Sequence, residues 1–375
     1  MRALQPAPLR ILALLTDGFG STGGIGRYNR DLLGALAASA CTDRVVALPR
    51  IGVVLGSDVP PKITQRAAQR DRVRYSLQAT HMGVTGGPWS LIFCGHLFMA
   101  PLAALLSRLL RIPYWLQLHG IEAWQRPSRV TAAAVQSAEV VTAVSRYTRH
   151  RFLQWSEIAP DRVRVLANTV EARFQPGPKP LALIERHGLA GRRVALTVSR
   201  LAASERYKGH DRVIAAMPAV LRRVPDAVYL IAGDGDDRTR LEGLVASAGL
   251  ATSVSFAGAV LDRELPDYYR LADTFVMPST GEGFGIVFLE AAATGLPVIA
   301  GNRDGSVDAL ADGVLGILVD PDNPEALADA LVAGLLRGTS RAADLRRFEH
   351  PTFNGQVDAL LQDILAGSPS RLAMV

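Results

Sequence analysis

Two glutamates stand eight residues apart in the stretch FVMPSTGEGFGIVFLEAAATGLPVIAG, residues 275–301. Glu282 lies in a glycine-rich loop, and Glu290 is the one charged residue of the following run IVFLEAAA, which reads as a helix. A carboxylate buried alone among such residues is destabilising by several kcal/mol, so Glu290 needs a partner. A vicinal diol donates two hydrogen bonds to one carboxylate, and a sugar nucleotide carries such diols on its ribose and on its sugar ring. A core arginine or backbone amides would satisfy the same group. Around Glu282, the glycines Gly281, Gly283 and Gly285 let backbone approach a ligand closely, and the N-terminus of the next helix presents N–H groups suited to phosphate.

Cations stand in a second stretch, TVSRLAASERYKGHDRVI, residues 197–214. Arg200 follows a strand, and Lys208 precedes Gly209 and a helix. The two suit a diphosphate, and they would equally serve as part of a solvated face. The strand YLIAGDGDD ends on Gly233-Asp234-Gly235, where a tight turn is the first reading and nucleotide contact the second. In STGGIGRY, Gly23, Gly24 and Gly26 precede a helix and form a phosphate cradle. No Tyr-x-x-x-Lys pair occurs to complete a short-chain dehydrogenase around that loop. His119 ends the strand YWLQLHG, and His96 has the same placement in FCGHLFMAP; each is a buried structural histidine or a ligand contact.

The elements that must position these residues alternate strand and helix, which points to parallel sheets covered on both faces. RILALLT, RVVALP, SLIFCG, PYWLQLHG, AEVVTAVS and VRVLANTV read as strands of a first half. RVALTVSRL, AVYLIAGDG, SVSFAGAV, TFVMPS, LPVIAG and GILVD read as strands of a second. Between them EARFQPGPKPLALIERHGLAG carries three prolines and no sustained periodicity, a hinge near residues 172–190. At DPDNPEALADALVAGLL a helix should start with Asn323 as N-cap, Pro324 at the first helical position and Glu325 in the first turn. The expectation is an α/β chain of two doubly wound domains, with a ligand site in an interdomain cleft beyond the carboxyl ends of the strands. At 375 residues, 49% hydrophobic, the chain suffices for two full cores. Cys41 and Cys94 make no metal-ligand spacing and read as thiols of a reduced compartment. The apolar run near the N-terminus is too short to span a bilayer and reads as a first core strand, not a signal peptide.

These residues together resemble the retaining GT-B glycosyltransferases of family 4, over nearly the whole chain and most strongly in its second half. EGFGIVFLE is similar to that family's Glu-x7-Glu motif, SRLAASERYKGH to its diphosphate-binding Arg and Lys segment, GGIGRY to its N-terminal glycine loop and LHG to its cleft histidine. VSRYT and NTV resemble the segments that end its first domain. The resemblance implies two Rossmann-like domains: an acceptor-binding one over 1–173, a linker over 174–189 and a donor-binding one over 190–354, with a C-terminal helix near 355–375 packing back on the first. It implies a nucleotide-diphosphate-sugar donor, with Glu290 on the ribose hydroxyls and Glu282, Gly283, Phe284, Gly285 and Ile286 on the donor sugar. Arg200 and Lys208 would neutralise the diphosphate as it leaves, Gly23 and Gly24 would approach it from the first domain, Gly233 would line the donor site, and His119 would lie near the anomeric carbon. Arg27, Tyr28 and His96 would face the acceptor. Catalysis would then fall to His119, Arg200, Lys208 and Glu282, with no cofactor and no metal. The chain departs from many relatives at GNRDGSVDAL, where Asn302, Arg303 and Asp304 stand in a segment usually rich in glycine, so donor identity is not carried over.

The charge is uneven. Residues 1–175 carry 21 Lys and Arg against 10 Asp and Glu, and the remaining 200 carry 20 against 25. Arg50, Lys62, Arg66, Arg70, Arg72 and Arg74 gather around a segment that reads as a loop, and MAPLAALLSRLLR adds Arg108 and Arg111 beside leucines. A basic surface with apolar neighbours suits peripheral contact with an anionic membrane and a polyprenyl-diphosphate-linked or other glycan acceptor at its cytoplasmic face. An incidentally basic surface on a protein with a soluble acceptor is the rival. Nucleic acid is not expected as a partner, because no recognition helix or aromatic-studded strand is present. Against the leading reading, a hexosyltransferase of cell-surface polysaccharide or glycolipid synthesis, stand a sugar-nucleotide epimerase of similar architecture and a non-catalytic sugar-nucleotide-binding module.

Overall fold

The computed structural model describes residues 8–21, 23–52, 59–337 and 344–367. Thr22 of the first glycine loop and the end of the expected C-terminal helix, 368–375, lie outside them. The chain divides into two compact units, Met1–Thr169 with Arg347–Val375, and Val170–Arg346.

In the first unit the order is β1 (Leu9–Asp17), α1 (Gly24–Ala38), β2 (Thr42–Ile51), β3 (Ile63–Gln65), α2 (Arg72–Thr85), β4 (Leu91–Cys94), α3 (Ala100–Leu110), β5 (Tyr114–Leu118), α4 (Arg129–Gln136), β6 (Val140–Ala143), α5 (Arg146–Leu153) and β7 (Val163–Val165). The second unit runs α6 (Leu181–His187), β8 (Arg193–Val198), α7 (His210–Leu221), β9 (Ala227–Ala232), α8 (Arg238–Ser247), β10 (Val254–Gly258), α9 (Leu265–Leu271), β11 (Thr274–Met277), α10 (Ile286–Ala293), β12 (Val298–Gly301), α11 (Ser306–Ala309), β13 (Ile317–Val319) and α12 (Pro324–Arg337). The chain then returns to the first unit as α13 (His350–Ala366), where Phe353 meets the ring of Tyr28 on α1 edge to face.

Both sheets are parallel throughout, ordered β3-β2-β1-β4-β5-β6-β7 and β10-β9-β8-β11-β12-β13. Helices cover both faces, so strands such as β4, β6, β9 and β11 are buried at every residue, and this is why they read as unbroken apolar runs. Each sheet has one place where the strand order reverses, between β1 and β4 and between β8 and β11. Loops leaving the carboxyl ends of those neighbours diverge and leave a crevice, the usual ligand position of such sheets. The loops after β8 and β11 carry the two cations and Glu282, and Glu290 follows on α10.

Local sequence sets the helix starts. Asn323 Oδ1 accepts from the N–H of Ala326 at 3.0 Å, with Pro324 as the first residue of α12 and Glu325 in its first turn. Where Arg72 and Arg74 were expected on a loop, they lie on α2, capped by the Asp71 carboxylate on the N–H of Arg74 at 2.8 Å. The buried stripe of α2 is Tyr75, Ala79 and Gly83, while Val73, Leu77 and Val84 are exposed. Small residues inside and aliphatic ones outside hide the helical period from a hydropathy reading.

Candidate functional site

In the second unit the glycine loop is tied down by Asp304, which follows β12 and is fully buried. Its Oδ2 accepts from Ser279 Oγ at 2.8 Å and from the N–H of Glu282 at 2.7 Å. Its Oδ1 accepts from the N–H of Ser306 at 3.0 Å and lies 2.5 Å from the Ser306 hydroxyl. The N–H of Gly305 closes the tie on the Glu282 carbonyl at 2.8 Å. Four hydrogen bonds from neutral donors are what lets a carboxylate sit in the interior with no cation against it. Gly305 has an ordinary φ of −67°, yet a Cβ there would lie 2.0 Å from the Gly283 carbonyl oxygen, so its neighbour demands glycine. At Gly285 the reason is conformational: φ is +86°, and the residue opens α10.

Glu290, on α10, is buried, and its Oε2 accepts the phenol proton of Tyr269 at 2.7 Å. Tyr269 comes from α9 and packs on Phe174 and Phe275. A partner for this carboxylate is thus a tyrosine from another helix.

The segment after β8 folds back as a short 3-10 turn, Ala203–Lys208. Glu205, in that turn, pairs Arg200 through Oε1 and Lys208 through Oε2, the second at 2.8 Å. Lys208 Nζ also lies 4.0 Å from Glu282 Oε1. Lys208 is largely enclosed, whereas Arg200 is 75% exposed. Tyr207 places its ring against Gly281, where a Cβ would stand 2.6 Å from the tyrosine Cγ, and its carbonyl accepts the N–H of Thr280 at 2.9 Å. Burial pushes the Glu282 carboxyl up to about 6; the Lys208 ammonium opposes this, and the Asp304 and Glu205 charges reinforce it. Gly233 serves packing: a Cβ on it would meet the Ser199 carbonyl oxygen at 1.7 Å. Ile286 and Phe284 are buried at the loop-to-helix junction.

In the first unit, Gly23 caps α1 with φ +98° and Gly24 is its first residue. A Cβ on either would meet nothing within 4 Å, so protein packing does not require glycine at 24. His119 lies at the end of β5 with its backbone N–H on Glu122 Oε1 at 2.5 Å and its Nε2 2.9 Å from the Gly95 carbonyl. A carbonyl only accepts, so Nε2 carries the proton and Nδ1 is the bare nitrogen. Burial pushes this imidazole down to about 4, so it is neutral at pH 7. His96 is buried beside it, ring centroids 6.1 Å apart, and caps the turn that follows by accepting the N–H of Phe98. Tyr28 is buried as well: its ring stands edge-on to His119 at 5.2 Å and its hydroxyl donates to Gln117 at 2.8 Å. It supports His119 from below, and Arg27 lies half-buried beside it on α1.

Glu205, Tyr207 and Tyr269 surround these residues and are not singled out by the sequence, whereas Asp304 stands out there only as a departure from a glycine-rich segment. Glu205 offered a signal, a carboxylate one helical turn before Lys208. Tyr269, 21 residues upstream of Glu290, offered none. Among the described residues no group of three or more His, Cys, Asp or Glu side chains is placed to hold a metal ion.

Two parallel Rossmann-like sheets, with a Glu-x7-Glu loop at the switch point of the second, make this the GT-B fold of nucleotide-sugar glycosyltransferases. Residues 22–174 match the family model described as Glycosyltransferase Family 4, and residues 183–347 match that of Glycosyl transferases group 1; the chain belongs to this family. It is 39% identical over 216 residues, 55% of each chain, to a GDP-mannose-dependent alpha-(1-6)-phosphatidylinositol monomannoside mannosyltransferase of Mycolicibacterium smegmatis. It is 31% identical over 243 residues to the alpha-D-kanosaminyltransferase of Streptomyces kanamyceticus, covering 60% of this chain and 62% of the relative. The aligned part thus spans little more than half the length of such curated relatives. Among solved structures, Anabaena HepE in complex with UDP superposes with a TM-score of 0.74 over 95% of this chain and 100% of that one, at 22% identity.

Proposed function

We propose that this protein is a retaining hexosyltransferase that moves mannose from GDP-mannose to a glycan or lipid-linked acceptor. The observation that carries the proposal is the convergence of Arg200, Lys208, Glu282 and the N-terminus of α10 on the β8/β11 switch point. The donor's diphosphate takes Arg200 and Lys208. Glu290 holds the ribose hydroxyls alongside Tyr269, and Glu282 with the 283–286 backbone holds the sugar. Glycine at 24, where the protein leaves open space, keeps the start of α1 clear of side chains, as a phosphate cradle requires. The departing diphosphate gains negative charge as the glycosidic bond breaks, and the two cations stabilise that charge in place of a metal. The same phosphate takes the acceptor's proton, and attack on the face it leaves retains the anomeric configuration. Neutral His119 turns its bare Nδ1 into a hydrogen-bond acceptor for a sugar hydroxyl. Mannose and GDP are chosen because the mannosyltransferase relatives are named for them.

Acceptor binding belongs to the first unit, with peripheral attachment to an anionic bilayer. Support for this comes from exposed Leu105 and Leu109 on α3 beside Arg108, and exposed Val73 and Leu77 on α2 beside Arg72 and Arg74. Among the described residues no helix is long and apolar enough to cross a membrane. Calorimetric titration of GDP, UDP and ADP with EDTA present, on wild type and Glu290→Ala, tests the donor site. Tight binding of GDP that Glu290→Ala abolishes is the expected result, and failure of all three nucleotides to bind wild type would refute it. NMR of the first-formed product from GDP-mannose reads the anomeric outcome.

A further inference from the structure

We infer that Glu205 is a built-in counter-anion of the donor site, holding Arg200 and Lys208 until a diphosphate displaces it. The inference rests on the proposed assignment of those cations to the diphosphate. Each oxygen of the carboxylate faces a cation: Oε1 the Arg200 guanidinium, and Oε2, which is buried, the Lys208 ammonium at 2.8 Å, an ion pair without hydrogen-bond geometry. The two positive charges are therefore matched within the protein by Glu205 and Glu282, with Asp304 behind them. A diphosphate brings at least two negative charges to a cluster that has no net positive charge to offer. Lys208 can aim its three protons at more than one acceptor, but a phosphate oxygen and Glu205 on the same ammonium would repel each other.

The two ends of the segment differ in how they are held. Next to Lys208, Gly209 has φ +80° and packs so tightly that a Cβ would lie 2.6 Å from the Pro278 carbonyl oxygen, which anchors the lysine to the end of β11. At the other end the N–H of Ala203 donates to Asp236 at 2.7 Å. Glu205 itself lies between these anchors at φ −115°, ψ 26°, outside helical values, where the turn is kinked. Withdrawal of this side chain thus leaves the lysine in place. The effect is largest on Lys208, which is only 11% exposed, because water and salt screen an enclosed pair least; the exposed Arg200 contributes little.

The test is calorimetric binding of GDP and GMP to wild type, Glu205→Gln and Glu205→Asp of the full chain. Glu205→Gln, isosteric and uncharged, is expected to bind GDP about tenfold more tightly, with GMP changed by about threefold or less. Glu205→Asp keeps the charge but draws it back by one methylene; GDP affinity is expected to rise about two- to threefold, and this variant carries the test should the glutamine fail to fold. Unchanged or weaker GDP binding in the variant that folds overturns the inference and makes Glu205 a residue that positions the cations. Absence of GDP, UDP and ADP binding to wild type would sink the donor-site reading itself, a different outcome from loss of the Glu205 effect.

Discussion

Replacing Asp304 with Asn is expected to loosen the glycine loop and to shift how Glu282 titrates. The carboxylate accepts from Ser279, Glu282 and Ser306, both oxygens are used, and among the described residues no cation pairs with it. Asparagine keeps one oxygen and turns an NH2 toward the other set of donors. Either the N–H of Glu282 or that of Ser306 then loses its acceptor. A buried N–H without a partner is destabilising by about 1–3 kcal/mol, and hydrogen bonds to a charged acceptor are the stronger kind. Against this, an uncharged side chain no longer resists burial. The net expectation is a loss of about 2 kcal/mol from the second unit. Far-UV circular dichroism should follow the unfolding, because all four tryptophans lie in the first unit and their fluorescence reports on the other half. The electrostatic effect has its own sign. The Asp304 charge helps hold the Glu282 carboxyl at about 6, so removing it lowers that value. The acid limb of the transfer rate should move to lower pH in Asp304→Asn, whereas a merely loosened loop would lower the rate at every pH alike. Wild-type stability together with an unmoved acid limb would refute the role assigned to Asp304.

Gly305→Ala should weaken nucleotide binding about tenfold with little backbone strain, since its Cβ strikes the Gly283 carbonyl at 2.0 Å; wild-type affinity in calorimetry would show that the loop yields freely. His210, buried with Nε2 2.8 Å from Ser199 Oγ, is pushed down to about 4 by burial. The unfolded chain, at an ordinary histidine value of about 6.5, therefore binds more protons between those limits. His210 thus contributes stability above that window that is lost as pH falls through it, about 2 kcal/mol by pH 5. Urea unfolding at pH 7 and pH 5 should show a smaller acid loss in His210→Gln than in wild type; Glu282, whose raised value acts in the opposite direction, is common to both proteins. Leu105→Ser with Leu109→Ser should abolish co-sedimentation with anionic liposomes at low salt, and binding as strong as wild type would remove α3 from the membrane surface.

How far such a site can be read in advance depends on which physical rule places each residue. Parallel topology puts the carboxyl ends of all strands on one edge of the sheet, so a glycine loop after TFVMPS and a basic segment after TVS have to meet once both strands are recognised. Buried strands are the easiest elements to see, and Glu290 was conspicuous as a charge in an apolar helix. Its partner Tyr269 was not, because contact between α9 and α10 is tertiary and follows no spacing in the sequence. Helix α2 reads as loop because its interior is tyrosine, alanine and glycine. Asp304 looked like a departure from a glycine-rich pattern, but its use emerges only when Ser279, Glu282 and Ser306 are seen to point their donors at one carboxylate. The cations show the limit most sharply. Arg200 and Lys208 read either as a diphosphate clamp or as part of a solvated face, and the fold closes both onto Glu205 from the same segment. A motif counts charges, whereas affinity depends on the charge left uncompensated after the chain has paired its own. On the proposed assignment of these cations to a diphosphate, its affinity is set as much by the carboxylate between them as by the cations themselves.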